Sequence, residues 1–404
     1  MAYELCRDAQ DRLRRYFDTI GEALGSESCR GSFAMYALGL LSESERKSIE
    51  PIAARAIGSA RHASAEHQRL HHFIANMKWS DRAVRDAAAT YATTAMQKME
   101  PIVAWIIDDT GFLKQGKHSV GVQRQYTGSA GKTANCQVGV SLTVATRTMQ
   151  VPIDFELFLP KSWMEDASRR QEAKIPEELT FKTKIDLALE MIERAALRRI
   201  AGKVVLADSF YGHSGPFRDA IHLMGFDYGM AIFASDRMWR LRTDERRKGE
   251  LLSAKQIALS LPKKKYRVCA WRDGTNAKLS SRFAICRVKV PRDPDTHLRA
   301  EWLLIEWPKG KPEPTHFALT TLPRRMSKKQ IVRLVKERYK TERVYEELKG
   351  ELGLDHFEGR GFRGWHHHVS VVLCCYAYLV AERAQACPPA PRRESEARPL
   401  LLAA

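Results

Sequence analysis

Three acidic residues in this chain have the type and setting to do chemistry. Asp108 ends an apolar run, Ile102-Val103-Ala104-Trp105-Ile106-Ile107, and Asp208 ends another, Val204-Val205-Leu206-Ala207. Glu342 lies inside a long helical pattern nearer the C-terminus. Two aspartates at strand ends and a glutamate on a helix are hard oxygen donors. Such a set can hold two Mg²⁺ ions roughly 3.5–4 Å apart, clamping the attacking and leaving oxygens of a phosphoryl transfer. Arg338, Glu342, Tyr345 and Lys349 fall at i, i+4, i+7 and i+11, one stripe of a helix. That stripe sets a carboxylate beside two cations suited to phosphate oxygens, although a solvated, salt-bridged face has the same pattern.

The charge balance names the kind of substrate. There are 66 Lys+Arg against 48 Asp+Glu, a formal net charge of +18. Such a surplus favours a polyanion, DNA or RNA, bound by counterion release and therefore sensitive to salt. Eight cysteines form no C-x-x-C pair and no zinc-finger spacing. The chain begins Met-Ala-Tyr-Glu-Leu, without the basic and apolar regions of a secretory signal. No apolar run reaches the ~18 residues of a membrane span, and 369–380 reads as a buried helix. A reduced, cytoplasmic, nucleoid-associated protein without membrane contact is expected.

The elements that must position these residues can be read from periodicity. Residues 1–98 have helical spacing throughout, including a capping box at Ser42 and Glu45 opening a helix over 46–57. Over 99–235 the pattern changes to strands at 102–109, 118–127 and 136–146, a helix over 178–200, a strand at 203–208, a short helix and a strand at 227–235. This order predicts an α/β fold with a mixed sheet flanked by helices. Residues 236–323 read as a β-rich insertion with strands near 266–271, 282–290, 302–307 and 316–321, divided by Gly and Pro turns. Over 324–387, Ser327 and Gln330 cap one long helix reaching about residue 352, and a second helix runs from Trp365 to about Gln385. Residues 388–404, rich in Pro and mixed charge, read as a disordered tail.

Several ordered motifs together resemble the DDE-superfamily transposases of bacterial insertion sequences, in the branch with a Tyr-x2-Arg-x3-Glu-x6-Lys motif. Arg338-x3-Glu342-x6-Lys349 matches the last three positions, while Val335 stands where that motif has Tyr. Asp108-Asp109-Thr110 is similar to the family's Asp-x-Thr, and Asp208-Ser209-Phe210-Tyr211-Gly212 to its Asp-x2-Tyr-Gly. Ser119–Tyr126, Asn135-Cys136-Gln137, Gly353–Arg360 and Gly364–His368 add to the likeness, which covers roughly residues 30–385. The resemblance implies an RNase H-like catalytic core interrupted by the insertion and preceded by the helical N-terminal domain. Its first strand would carry Asp108, its fourth would end at Asp208, and its final helix would carry Glu342. Asp108 rather than Asp109 is the expected metal ligand, since strand neighbours face opposite ways. Two Mg²⁺ ions (with Mn²⁺ as a substitute), double-stranded DNA of terminal inverted repeats and target, and a homodimer are implied with it. The implied function is cut-and-paste transposition by two-metal phosphoryl transfer, through a hairpin intermediate. Rival readings are a catalytically idle DNA-binding regulator and an RNase H-type structure-specific nuclease.

Other candidates have competing explanations. Lys114, Lys117 and Arg124 follow the first carboxylate closely and could meet DNA or remain solvated. Lys263, Lys264 and Lys265 with Tyr266 and Trp271 suit a strand-binding surface or a charged edge strand. Trp307, or Trp302, could stack a flipped base or pack a core. His366-His367-His368 point about 100° apart on a helix and cannot share one ligand face. Cys374 and Cys375 read as core thiols. Gly128–Gly131 with Lys132 lacks P-loop spacing, so no nucleotide cofactor is implied.

Overall fold

A strand that is apolar on both faces must be covered on both, and Ala104–Ile107 are fully buried. In the computed structural model, which describes residues 7–57, 63–241, 248–274, 277–291 and 300–386, this strand is an interior strand of a mixed sheet. Helices α1 (Arg7–Leu24), α2 (Glu27–Leu41), α3 (Ile49–Ile57), α4 (Ala63–Ala75) and α5 (Asp81–Met99) precede β1 (Ala104–Leu113). Next come β2 (Gln123–Thr127), β3 (Lys132–Ala145), β4 (Gln150–Phe158), the short α6 (Lys161–Met164) and α7 (Ala167–Glu172), α8 (Lys184–Leu197), β5 (Val204–Ala207), α9 (Ser209–His213), α10 (Gly215–Leu223) and β6 (Asp227–Ile232). The chain continues through β7 (Arg237–Leu241), β8 (Lys248–Ser253), α11 (Ala254–Ser260), β9 (Arg267–Asp273), β10 (Lys278–Lys289), β11 (Ala300–Trp307) and β12 (His316–Thr320). It closes with α12 (Lys328–Val335), α13 (Tyr339–Gly350) and α14 (Phe362–Ala386).

The sheet has 12 strands in the order β2-β3-β1-β5-β6-β12-β11-β10-β7-β8, with β4 on β3 and β9 on β10. The β1–β3 and β3–β4 pairs are antiparallel, and the β1–β5 and β5–β6 pairs are parallel. The strands of 236–323 do not form a sheet of their own, because β12 pairs antiparallel with β6 and continues the first one.

Several elements differ from the expectation. Ser42 is the C-cap of α2, its hydroxyl donating to the Gly39 carbonyl at 2.7 Å, so it opens no helix and α3 begins at Ile49. β2 is shorter than 118–127 because Gly121 turns the chain at φ 75°. β4 was not expected at all. Its Pro152 cannot donate to a ladder, but it faces the register shift at Leu142/Thr143, where a missing donor is tolerated. The acidic Asp154 and Glu156 of β4 are matched by Arg82, Arg85 and Arg194, with Arg85 only 2% exposed. The single helix from 327 is two: the Ser327–Gln330 capping box opens α12, and Lys336–Arg338 tighten into a 3₁₀ turn before α13. Lys263–Lys265 also form a 3₁₀ turn, not a strand. The tail at 388–404 lies outside the described residues.

Helix α14 is long and apolar enough to cross a membrane, but 72% of that window is buried inside the protein. It packs into one core with the N-terminal helices and the sheet. Its three histidines are structural. His367 stacks on Trp79 with ring centroids 3.6 Å apart, and His368 Nδ1 lies 2.8 Å from the Tyr36 hydroxyl. Burial pushes both imidazoles down to about 4. His366 reaches Glu156 at 3.3 Å. Cys374 and Cys375 are buried free thiols.

Gly212 matters for the site. A Cβ there would collide with the Ala231 carbonyl oxygen on β6. Gly212→Ala should destabilise the protein by about 1–3 kcal/mol in urea unfolding, because backbone rather than a flexible side chain must yield. An unchanged midpoint would show that α9 does not seat on β6 this closely.

Candidate active site

Parallel register brings the two aspartates together. Ile107 pairs with Ala207, so Asp108 and Asp208 follow side by side; Asp208 stands just past the end of β5, while β1 runs on beyond Asp108 to Leu113, further than the expected 102–109. Asp208 is also the N-cap of α9, accepting from the Phe210 and Tyr211 backbone N–H groups at 2.9 and 3.3 Å. Its carboxylate direction is therefore set by the turn that Gly212 allows. Asp108 Oδ1 accepts from the Asp109 N–H at 2.8 Å, and its Oδ2 takes Arg338 Nη1 at 3.2 Å. Asp109 has different partners, Lys184 Nζ at 3.1 Å and the Tyr211 hydroxyl at 3.3 Å. Asp108 is thus the member of the pair linked to the segment that leads into α13.

Helix α13 is fastened at several points. The Tyr345 hydroxyl meets Ser141 Oγ at 2.6 Å, and Ser141 lies directly across from Asp108 in the β1–β3 register. Buried Lys340 donates to the Thr146 and Arg147 carbonyls. Lys349 Nζ reaches the Gly111 carbonyl at 2.7 Å, Thr110 Oγ1 at 3.0 Å and Ser129 Oγ at 3.2 Å. Between these anchors Glu342 stays 55% exposed at its side chain, held by Arg338 Nη2 at 2.6 Å.

The carboxylates sit uneasily. Burial, with Asp208 and Asp109 nearby, raises the Asp108 pKa to about 7 despite Arg338. Asp208 is raised for the same reason, burial first, against the cap N–H of Tyr211. Burial works against the Arg338 charge, but Asp108 and Glu342 more than offset it and hold its pKa above the ordinary value. Hard oxygen donors crowded enough to resist ionisation suit divalent cations by chemistry. Their placement is not a closed ligand set: among the described residues no three Asp, Glu, His or Cys side chains could hold a metal ion together. Arg338 lies between two of the three expected ligands.

The other expected contacts are distributed unevenly. Tyr345 is 8% exposed with its hydroxyl committed to Ser141, so it packs the site instead of facing a phosphate. Lys349 is a clamp on β1, and Lys114 donates to the Phe357 carbonyl at 2.7 Å. Lys117, Arg124, Lys263, Lys264 and Lys265 are exposed. The Trp307 ring is covered by Arg282 at 4.2 Å and edged by Tyr266, and its N–H donates to the Lys311 carbonyl, so it packs the insertion. Trp302 has Arg287 over its ring at 4.6 Å. Lys184, which fixes Asp109 together with the motif residue Tyr211, was not singled out in the sequence, and neither was a basic surface of Arg267, Lys329 and Arg333. Those three are exposed and form no ion pair among the described residues.

Comparison with known proteins identifies the family. Residues 20–278 match the family described as DDE superfamily endonuclease, and residues 182–378 match the transposase DDE domain. The chain belongs to the DDE superfamily of endonucleases. It is also 29% identical over 202 residues to a protein of Microchaete diplosiphon named "Probable transposase for insertion sequence element IS701". That match covers 50% of this chain and 48% of the relative.

The Asp108 shift has a consequence for stability. Its folded pKa of about 7 lies above the ordinary 3.8, so ionising it opposes folding. The penalty is absent below about pH 4, grows as the pH rises between those values, and is complete above 7. Asp108→Asn, in chelator, should therefore stabilise the protein by roughly 1–3 kcal/mol at pH 8 and change little below pH 4. Equal effects at both pH values, by urea unfolding, would contradict the burial of this carboxyl.

Proposed function

We propose that this chain is the transposase of a bacterial insertion sequence, cutting its element's ends and joining the freed 3′-OH to target DNA. The observation that carries the reading is the meeting of Asp108, within β1, and Asp208, just past the end of β5, with Glu342 linked to Asp108 through one arginine. The β4-β3-β1-β5-β6 order supports an RNase H-like core, with 236–323 as its insertion. Asp108, Asp208 and Glu342 would hold Mg²⁺ or Mn²⁺, which when bound would activate water and stabilise the leaving 3′-oxygen.

The chain's own residues do the positioning. The α9 cap orients Asp208, the Asp109–Lys184–Tyr211 contacts steady the end of β1, and Lys349 and Tyr345 keep Glu342 over it. Arg338 is a phosphate ligand in this reading. Lys263–Lys265 with Arg267, Lys329 and Arg333 form a track for a DNA backbone, and Lys117 and Arg124 offer further contacts. A hairpin on the element end and a homodimer acting on two ends complete the proposal.

Two experiments test it. Purified protein with Mg²⁺ and duplexes carrying the element's own ends should yield end cleavage and joined products. Asp108→Ala, Asp208→Ala and Glu342→Ala should each fall to the no-protein background while retaining DNA binding. Cleavage without any joined product would leave only a nuclease, and full activity in all three variants would remove the site. Separately, the triple variant Arg267→Ala, Lys329→Ala, Arg333→Ala should lower the slope of log affinity against log salt by about 2–3, close to one per lost phosphate contact. An unchanged slope would place the DNA elsewhere.

A further inference from the structure

Arg338 spans two carboxylates at once. Nη1 is 3.2 Å from Asp108 Oδ2 and Nη2 is 2.6 Å from Glu342 Oε1. A planar guanidinium fork suits two separate oxygen partners, and it suits a phosphate equally well. Its single positive charge fills the gap where a divalent ion would have to touch both side chains. Nothing else in the helix depends on this contact. Tyr345 on Ser141, Lys340 on two carbonyls and Lys349 on Gly111 hold α13 independently. The Arg338 side chain is 31% exposed, so it has a route outward by rotation alone. Its neighbour Tyr339 carries the Arg272 guanidinium stacked 3.7 Å from its ring centroid, which keeps a second positive charge beside that route. A phosphodiester arriving there would be drawn to both arginines.

We propose that Arg338 is a latch: in the DNA-free protein it takes the cation position between Asp108 and Glu342, and an incoming phosphodiester draws it out, so DNA engagement precedes metal loading. This rests on the reading of Asp108, Asp208 and Glu342 as the metal-binding set. Its consequence is that the free protein holds divalent ions poorly and cannot form a competent site away from DNA. Arg338 is then a positioning residue twice over, for Glu342 before binding and for the phosphate after it.

The test measures binding of Mn²⁺ alone to the full chain, from the electron-spin signal of the free ion, with and without DNA. The DNA is a precut element end with a 3′-deoxy terminus, so that no chemistry intervenes, and Mn²⁺ held by the duplex itself is subtracted. Arg338→Ala and Arg338→Gln should bind Mn²⁺ about tenfold more tightly than the wild type without DNA, the gain expected when a competing ion pair is removed. DNA should tighten binding to the wild type and add little to either variant. Arg338→Lys, which keeps the charge but cannot fork, should fall between and guards against a folding defect in the other two. Asp108→Asn and Glu342→Gln separate the two ideas. If both retain wild-type Mn²⁺ binding in the presence of DNA, the metal-site reading itself fails. If they lose it while the Arg338 variants gain nothing without DNA, the latch alone is wrong.

Discussion

The parallel pairing of β1 with β5 is the constraint on which the site depends. Ile107 opposite Ala207 sets Asp108 beside Asp208, and strand side chains alternate faces. A slip of one residue would send Asp108 to the other side of the sheet and bring Asp109 forward. The register is secured by apolar side chains on both faces of Ala104–Ile107 and Val204–Ala207, all of them buried. Asp208 thus stands just past the end of β5, beside Asp108 in the buried interior of β1, which runs on to Leu113.

The surrounding layers convert that register into a rigid platform. Helix α14 fills one face and ties α1, α2, α4 and α5 to the sheet through Tyr16, Tyr36, Trp79 and its histidines. Beneath them, Arg85 is buried and ion-paired with Asp154 and Glu156, since an unpaired charge there would be costly. Beside α14, α13 is held by hydroxyl and carbonyl contacts to β3 and β1, and its Glu347 accepts from the Tyr376 hydroxyl of α14. The helices before β1 therefore share a core with the strands that lead to Asp108 and Asp208, and the β-rich stretch after β6 extends the same sheet.

The site stores electrostatic tension within this platform. Buried Asp108 and Asp208 resist ionisation, and Arg338 relieves part of the cost by lending one charge to Asp108 and Glu342. Such tension is what an added cation would discharge. The same argument makes Asp108 a net burden on the stability of the metal-free chain.

Local pattern alone was enough for the apolar runs leading to Asp108 and Asp208, the Ser327–Gln330 cap, the buried character of α14 and the surplus positive charge. Each depends on neighbours in the chain or on total composition. Other features came from contacts between distant segments. β4 was hidden because Pro152, Asp154 and Glu156 argue against a central strand until a bulge and three arginines are supplied from elsewhere. Tyr345 and Lys349 have the spacing of DNA contacts, yet β3 and β1 claim their polar ends. The link from Arg338 to Asp108 joins residues 230 positions apart. Periodicity can say that such side chains share a face, but only the packed structure decides which oxygen each one meets, because that choice is made by competition among partners that folding brings into reach.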